Sequence, residues 1–299
     1  MSNFVCFGEV LWDLFPEAEK IGGAPLNVAL RLKSFNNSVT MISAVGQDEH
    51  GNRLLSFLKE RDLNTSFIQI NKTVETGKVI VQLDEKGSAS YTIKFPSAWD
   101  YIRSNSDIES LARNADALIF GSLVMRNHSS RETLNTLVKI AKYKIFDVNL
   151  RPPHFSTELL VEFMNTADFV KFNDEEIVEI GQAIGFNESD LNKLTQMFAE
   201  RFNLDSLCVT RGDKGALLYK NNMFYDHLGF SVKVVDTVGA GDSFLATLIN
   251  GLFNELHPNE ALEKACAVGA MVAGSKGANP YFSDSQIKQF IETGKISSS

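Results

Sequence analysis

The string DTVGAGDSF, Asp236 to Phe244, sets a carboxylate one step inside a helix start whose backbone is almost free of side chains. Gly239, Ala240 and Gly241 supply the bare backbone, and Phe244, Leu245, Ala246, Leu248 and Ile249 follow with a helical apolar pattern. Such an N-terminus attracts anions through its unpaired N–H groups and the positive end of the helix dipole. Asp242 would repel an anion held there. A site that keeps this carboxylate uses it most simply as a base, taking the proton of a hydroxyl that attacks phosphorus. In isolation, Gly-x-Gly-Asp is more often an ordinary turn whose acidic residue only favours the first turn of a helix.

Other stretches put polar groups beside glycines. GGAPLNVA, Gly22 to Ala29, sets Gly23 and Asn27 around a proline-initiated helix start that a polar ligand could approach closely; a tight turn with an exposed Asn27 reads as well. Asp13, in GEVLWDLF, ends an apolar strand and could accept two hydroxyl bonds or simply face water. In FNDEE, Phe172 to Glu176, Asn173 and Glu176 would share one face of a first turn, or form a solvated cap with Asp174 and Glu175. TRGDKGA, Thr210 to Ala216, is a glycine-rich turn after an apolar strand, and GANP, Gly277 to Pro280, follows a helix as a C-terminal stop. DVNLRPP, Asp147 to Pro153, lies at the C-terminal end of an apolar strand, where α/β sheets hold ligands. Arg151 there could meet a ligand or pair with Asp147.

Strands and helices alternate to position these groups. Phe4–Gly8, Leu11–Phe15, Val39–Val45, Ala117–Phe120, Lys144–Val148, Phe169–Phe172 and Ser206–Thr210 read as strands, and Pro25–Phe35 and Glu49–Arg61 as helices. Between Thr73 and Phe95 the pattern shortens to a β-hairpin with Glu85-Lys86-Gly87 as its turn. Helices at Gly241–Asn254, Asn259–Ser275 and Ser283–Thr293 close the chain, and Lys295–Ser299 reads as a disordered tail. The alternation predicts an α/β fold with a mostly parallel sheet covered on both faces.

With 299 residues, 44% of them apolar, the chain can bury a large core. Its net charge of -8, without a Lys/Arg cluster, argues against a nucleic-acid surface, so anions must be held by local donors. Cys6, Cys208 and Cys266 sit apart in apolar segments, which reads as reduced core cysteines of a cytoplasmic protein. No secretory leader is expected, and no apolar run reaches membrane-spanning length. A P-loop is excluded, because no G-x-x-x-x-G-K-[ST] occurs, and no G-x-G-x-x-G follows the first strand.

Taken in order along Phe4–Phe282, these motifs resemble the ribokinase-like, or PfkB, carbohydrate kinases, and the Gly-Gly-Ala-Pro-x-Asn-Val-Ala form resembles their fructokinases. The resemblance implies a single ribokinase-like domain over 1–299: a three-layer sandwich with a small β-sheet lid from about 10–21 and 73–100. It implies Asp242 as catalytic base, with Gly239, Ala240 and Gly241 as the anion hole. Asp13, Gly23 and Asn27 would bind sugar hydroxyls, with Arg151 at the phosphate or substrate. Trp99, in SAWDYI, would close over the sugar, or else serve lid packing or a dimer contact. Asn173, Thr210, Gly212, Gly215, Gly277 and Ala278 fall to ATP, and Glu176 to Mg²⁺ through water. Asp236 marks a monovalent-cation site, although Val238 and Tyr281 replace hydroxyl residues seen in potassium-activated members. The implied reaction is ATP-dependent phosphorylation of a primary hydroxyl, first of D-fructose to fructose 6-phosphate. The alternatives are 2-keto-3-deoxygluconate, ribose, a nucleoside or a sugar phosphate as acceptor, or a non-catalytic sugar or nucleotide sensor. An anionic acceptor would call on Lys94 or Arg103. A homodimer through the lid is expected by analogy.

Overall fold

Apolar runs such as ALIFG at Ala117–Gly121 are buried along their whole length, as strands in the middle of a doubly covered sheet must be. The computed structural model describes residues 1–83 and 89–295. The first half of the chain contains β1 (Asn3–Phe7), β2 (Leu11–Phe15), β3 (Ala18–Gly22), α1 (Ala24–Ser34), β4 (Ser38–Gly46), α2 (Glu49–Glu60), β5 (Ile68–Asn71), β6 (Gly77–Leu83) and β7 (Ala89–Ile93). Then come α3 (Ser106–Asn114), β8 (Ala117–Gly121), α4 (His128–Val138), β9 (Lys144–Asp147), α5 (Thr157–Met164), β10 (Phe169–Asn173), α6 (Asp174–Ala183) and α7 (Leu191–Phe202). The chain closes with β11 (Ser206–Thr210), β12 (Ala216–Lys220), β13 (Met223–His227), α8 (Ala240–Phe253), α9 (Pro258–Ala273) and α10 (Asp284–Thr293).

The large sheet has the order β13-β12-β11-β10-β9-β8-β1-β4-β5. From β5 to β11 every pairing is parallel, and only β12 and β13 run antiparallel at the edge. Side chains alternate across β1, so Val5 and Phe7 join the core under α3 to α7, while Phe4 and Cys6 join the one under α1, α2, α8 and α9. This is the ribokinase-like three-layer architecture, with the mostly parallel sheet as its middle layer.

A second sheet, β3-β2-β6-β7, stands apart from the first. It is mixed: β2 and β6 are parallel, whereas β3 and β7 add antiparallel edges. The hairpin expected in Thr73–Phe95 is thus present, but its Glu85-Lys86-Gly87 turn and most of the expected tail, 296–299, lie outside the described residues. Strand β3, AEKIG, escapes the sequence pattern because it is charged and largely exposed and is defined by pairing, with Lys20 opposite Asp13.

Candidate active site

Between the two sheets lies a cavity of about 740 Å³. Leu11, Asp13 and Phe15, every second residue of β2, face it from the small sheet, joined by Val79, Tyr91 and Ile93. Glu9, Asn149 and Thr210, at or just beyond strand ends of the large sheet, form the opposite wall with Lys171 in the middle of β10 and the start of α8. Gly239 caps α8 in a left-handed conformation, φ 77°, and packs so closely on Ala278 that a Cβ would overlap it. Among the described residues, the N–H groups of Gly239, Gly241 and Asp242 have no protein partner, while that of Ala240 is held by the Thr237 carbonyl at 3.2 Å. The free donors of the helix start are therefore Gly239, Gly241 and Asp242.

Asp242 points from this helix start into the cavity, and its Oδ2 accepts Asn27 Nδ2–H at 2.8 Å. Removal from water, reinforced by the negative Asp147, pushes its carboxyl up to about 6 despite the Asn27 bond and nearby Lys171 and Arg151. Asn27 comes from α1, and its own Oδ1 accepts Asn279 Nδ2–H at 2.7 Å, so one amide joins α1, the α8 start and the loop after α9. Across the cavity, Asp13 is half-buried and is likewise raised to about 6, chiefly by burial. Gly22 lacks a side chain where the Asp13 carboxylate lies, and Gly23 opens α1 at φ 117° against the Glu9 carbonyl.

On the far side, Asn173 and Glu176 form a capping box at the start of α6. Glu176 Oε2 accepts the Asn173 N–H and Oε1 accepts the Leu150 N–H, both at 2.8 Å, and burial raises its carboxyl above the usual range. Each oxygen keeps a lone pair, so the residue fits a magnesium-bound water better than the metal itself. Among the described residues no group of three His, Cys, Asp or Glu could enclose a metal. Near the start of α8, Lys171 reaches Asp147 Oδ1 at 2.8 Å. A methyl group on Gly241 would lie 3.8 Å from Lys171 Nζ, but the paired Asp147 balances this ammonium and outweighs it at Asp242.

Residues 1–284 match the family model described as pfkB family carbohydrate kinase. The chain belongs to that family. It is 30% identical to "Probable fructokinase-6, chloroplastic" of Arabidopsis thaliana, over 92% of this chain and 78% of the relative. The fructokinase of Vibrio cholerae O395, solved with fructose, ADP and calcium ion, superposes with a TM-score of 0.83 at 25% identity, covering 97% of this chain and 99% of that one. A double mutant of that enzyme with fructose, ADP and potassium ion gives a TM-score of 0.84 at 24% identity, over 97% and 98%, and so supports the fold.

In this carbohydrate kinase the cavity gathers Asp13, Gly23, Asn27, Arg151, Asn173, Glu176, Thr210, Gly212, Gly239, Gly241 and Asp242. Trp99 is not among them: it is fully buried in the core beside the large sheet, with the Arg126 guanidinium 4.0 Å from its ring centre, so it serves packing. Gly215, Gly277 and Ala278 also lie off the cavity wall; Gly215 makes a tight turn against the end of β13, and Ala278 packs on Gly239. Asp236 is already committed, its Oδ2 accepting Lys20 Nζ at 3.0 Å and the Gly277 N–H at 3.3 Å, with Oδ1 accepting the Val238 N–H at 3.1 Å. The Asp147–Arg151 pair does not form, because Asp147 belongs to Lys171. Lys94 and Arg103, the cations expected for an anionic acceptor, do not line the cavity. Sequence reasoning passed over Glu9 and Lys171, although an ionisable residue inside the apolar strand FVKFN was a usable signal.

Proposed function

We infer that this pfkB-family protein is an ATP-dependent fructokinase, transferring the γ-phosphoryl group to the primary hydroxyl of D-fructose. The observation that carries the reading is Asp242, aimed into the cavity from a helix start with unpaired N–H donors, facing Asp13 across the space. Asp242 accepts the proton of the attacking hydroxyl. The N–H groups of Gly239, Gly241 and Asp242 bind the charge that develops on the phosphoryl oxygens. Asp13, Gly23 and Asn27 belong to the sugar half of the cavity and Arg151 to the reacting phosphate, while Asn173, Thr210 and Gly212 belong to the nucleotide half. Glu176 would hold a magnesium ion through water, and the ion would supply charge neutralisation at the terminal phosphates of ATP. The small sheet works as a lid that excludes water and so protects ATP from hydrolysis. A cytoplasmic enzyme is the setting this chemistry suits, with three buried free cysteines in keeping. A lid-to-lid homodimer is the assembly we propose.

ADP release from Mg·ATP, measured with fructose, ribose, 2-keto-3-deoxygluconate, fructose 6-phosphate and adenosine, tests the reading. Selective turnover of fructose supports it. Turnover of another acceptor moves the pocket assignment and keeps the mechanism, and ATP binding without turnover favours a sensor.

A further inference from the structure

A second cavity, of about 680 Å³, opens beside the last turn of α1 and shares no wall residue with the first. Its wall carries three cations, Arg31, Lys33 and Arg61, against one acid, Asp62, on a chain whose net charge is -8. None of these four forms an ion pair among the described residues. Arg31 is the anomaly, because it is only 2% exposed. Its Nε–H donates to Ser243 Oγ at 3.2 Å and its Nη2 donates to the Pro280 carbonyl at 2.7 Å. Both partners are neutral, and the remaining neighbour of note is the Phe282 ring, 5.4 Å from the guanidinium carbon. Removal from water brings the Arg31 pKa down to about 10, and no carboxylate offsets the fall. The group stays charged at neutral pH, so folding withdraws a full positive charge from water without a counter-ion, which is unfavourable until an anion completes the pair. The third nitrogen, Nη1, has no protein partner among the described residues and, in contrast to Nη1 of Arg126, is not sealed from solvent. It is the atom an incoming anion can reach.

We propose that this cavity binds a phosphate group, with Arg31 Nη1–H as the buried donor and the more exposed Lys33 and Arg61 supplying charge around it. Three cations suit a dianion better than a single carboxylate, and the volume admits a phosphate ester as well as the free ion. The site lies one residue from the catalytic carboxylate by two routes. Ser243 follows Asp242 in α8, and Pro280 follows Asn279, whose amide holds Asn27 and through it Asp242. An anion on Arg31 therefore steadies both supports of Asp242 without entering the catalytic cavity.

The test is titration calorimetry of inorganic phosphate, and then of glycerol 3-phosphate, into wild type, Lys33→Glu/Arg61→Glu and Arg31→Gln near neutral pH. Phosphate held at the α8 start is common to all three proteins, so the second cavity is read as the difference between them. Wild type should bind one phosphate more, at millimolar concentrations, than either variant. The charge reversals should weaken that site by about tenfold or more, and Arg31→Gln by roughly 10- to 100-fold. Lys33→Glu/Arg61→Glu should keep the wild-type kcat and KM for sugar and ATP within about twofold, since neither residue touches the catalytic cavity. Equal phosphate stoichiometry and affinity in wild type and the double variant overturns the proposal, whichever acceptor the kinase uses. Tighter binding of glycerol 3-phosphate than of phosphate at the extra site supports a phosphate ester as its ligand, and the reverse supports the free ion. Should Arg31→Gln not fold, the double variant, altered only at more exposed side chains, decides.

Discussion

Replacing Asp242 with Asn should damage the enzyme and strengthen the protein, and the two effects can be separated by pH. The Asp242 carboxyl rises from an ordinary value of 3.8 to about 6 because the folded chain withdraws it from water and sets it near Asp147. A carboxyl raised in this way favours the folded state in its protonated form, so its contribution is intact below its unfolded value and is lost as pH climbs through about 6. The rise corresponds to about 3 kcal/mol at most at pH 8, relative to a side chain that never ionises. Asparagine keeps an oxygen for the Asn27 bond but carries no charge. Asp242→Asn should therefore raise the melting temperature by several degrees near pH 8 and leave it nearly unchanged near pH 4. Turnover at pH 8 should fall by about 10² to 10⁴, with ATP and sugar binding retained. Thermal melts at both pH values and steady-state ADP release check the pair of effects. An equal gain at both pH values, or none, would refute the electrostatic account, and near-normal turnover would remove Asp242 from its role as base.

Gly239→Ala forces a Cβ onto Ala278 at a left-handed φ; it should cost roughly 1–3 kcal/mol of stability and disable the phosphate-binding donors, readable as a lower melting temperature together with a large drop in kcat. Lys171→Met strands the buried Asp147 and should destabilise by about 3–5 kcal/mol, most of it recovered in Lys171→Met/Asp147→Leu; denaturant melts showing the double variant no better than the single would contradict the buried-pair reading. Since Lys20 already occupies the Asp236 carboxylate, rates in potassium and choline salts should agree within about twofold. Activation by potassium of about tenfold or more would mean that Lys20 gives way to the ion.

The nucleus of the site was legible because glycine-rich turns leave marks that local physics can read. DTVGAGD announced a helix start with a carboxylate inside it, and GGAPLNVA announced another, so Gly239, Gly241, Asp242, Gly23 and Asn27 could all be named. Tertiary pairings left no such mark. Nothing local distinguishes Arg151 from Lys171 as the partner of Asp147; the parallel register of β9 and β10, with Lys171 opposite Asp147, decides it. Trp99 misleads for a related reason: an aromatic in a lid segment fits a sugar platform until the chain is folded and its ring turns into the core. Strand β3 was invisible because its identity lies in its neighbour and not in its composition.

The small sheet buries few side chains of its own, a cluster of Leu11, Val79 and Val81 with Phe15 and Ile93 packed beside it, against the two continuous cores that flank the large sheet. Its central pairing also joins β2 to β6 across a long stretch of chain that includes β4 and β5. That stretch must be brought back before the pairing exists, at a loop-closure cost set by chain entropy. Little burial and distant partners make the same prediction from two directions: this sheet assembles late and opens first, below the threshold of global unfolding. In native-state hydrogen exchange its amides should form a unit of their own, exchanging well before those of β1, β8 and β9, and sugar bound beneath it should slow that exchange more than any in the large sheet.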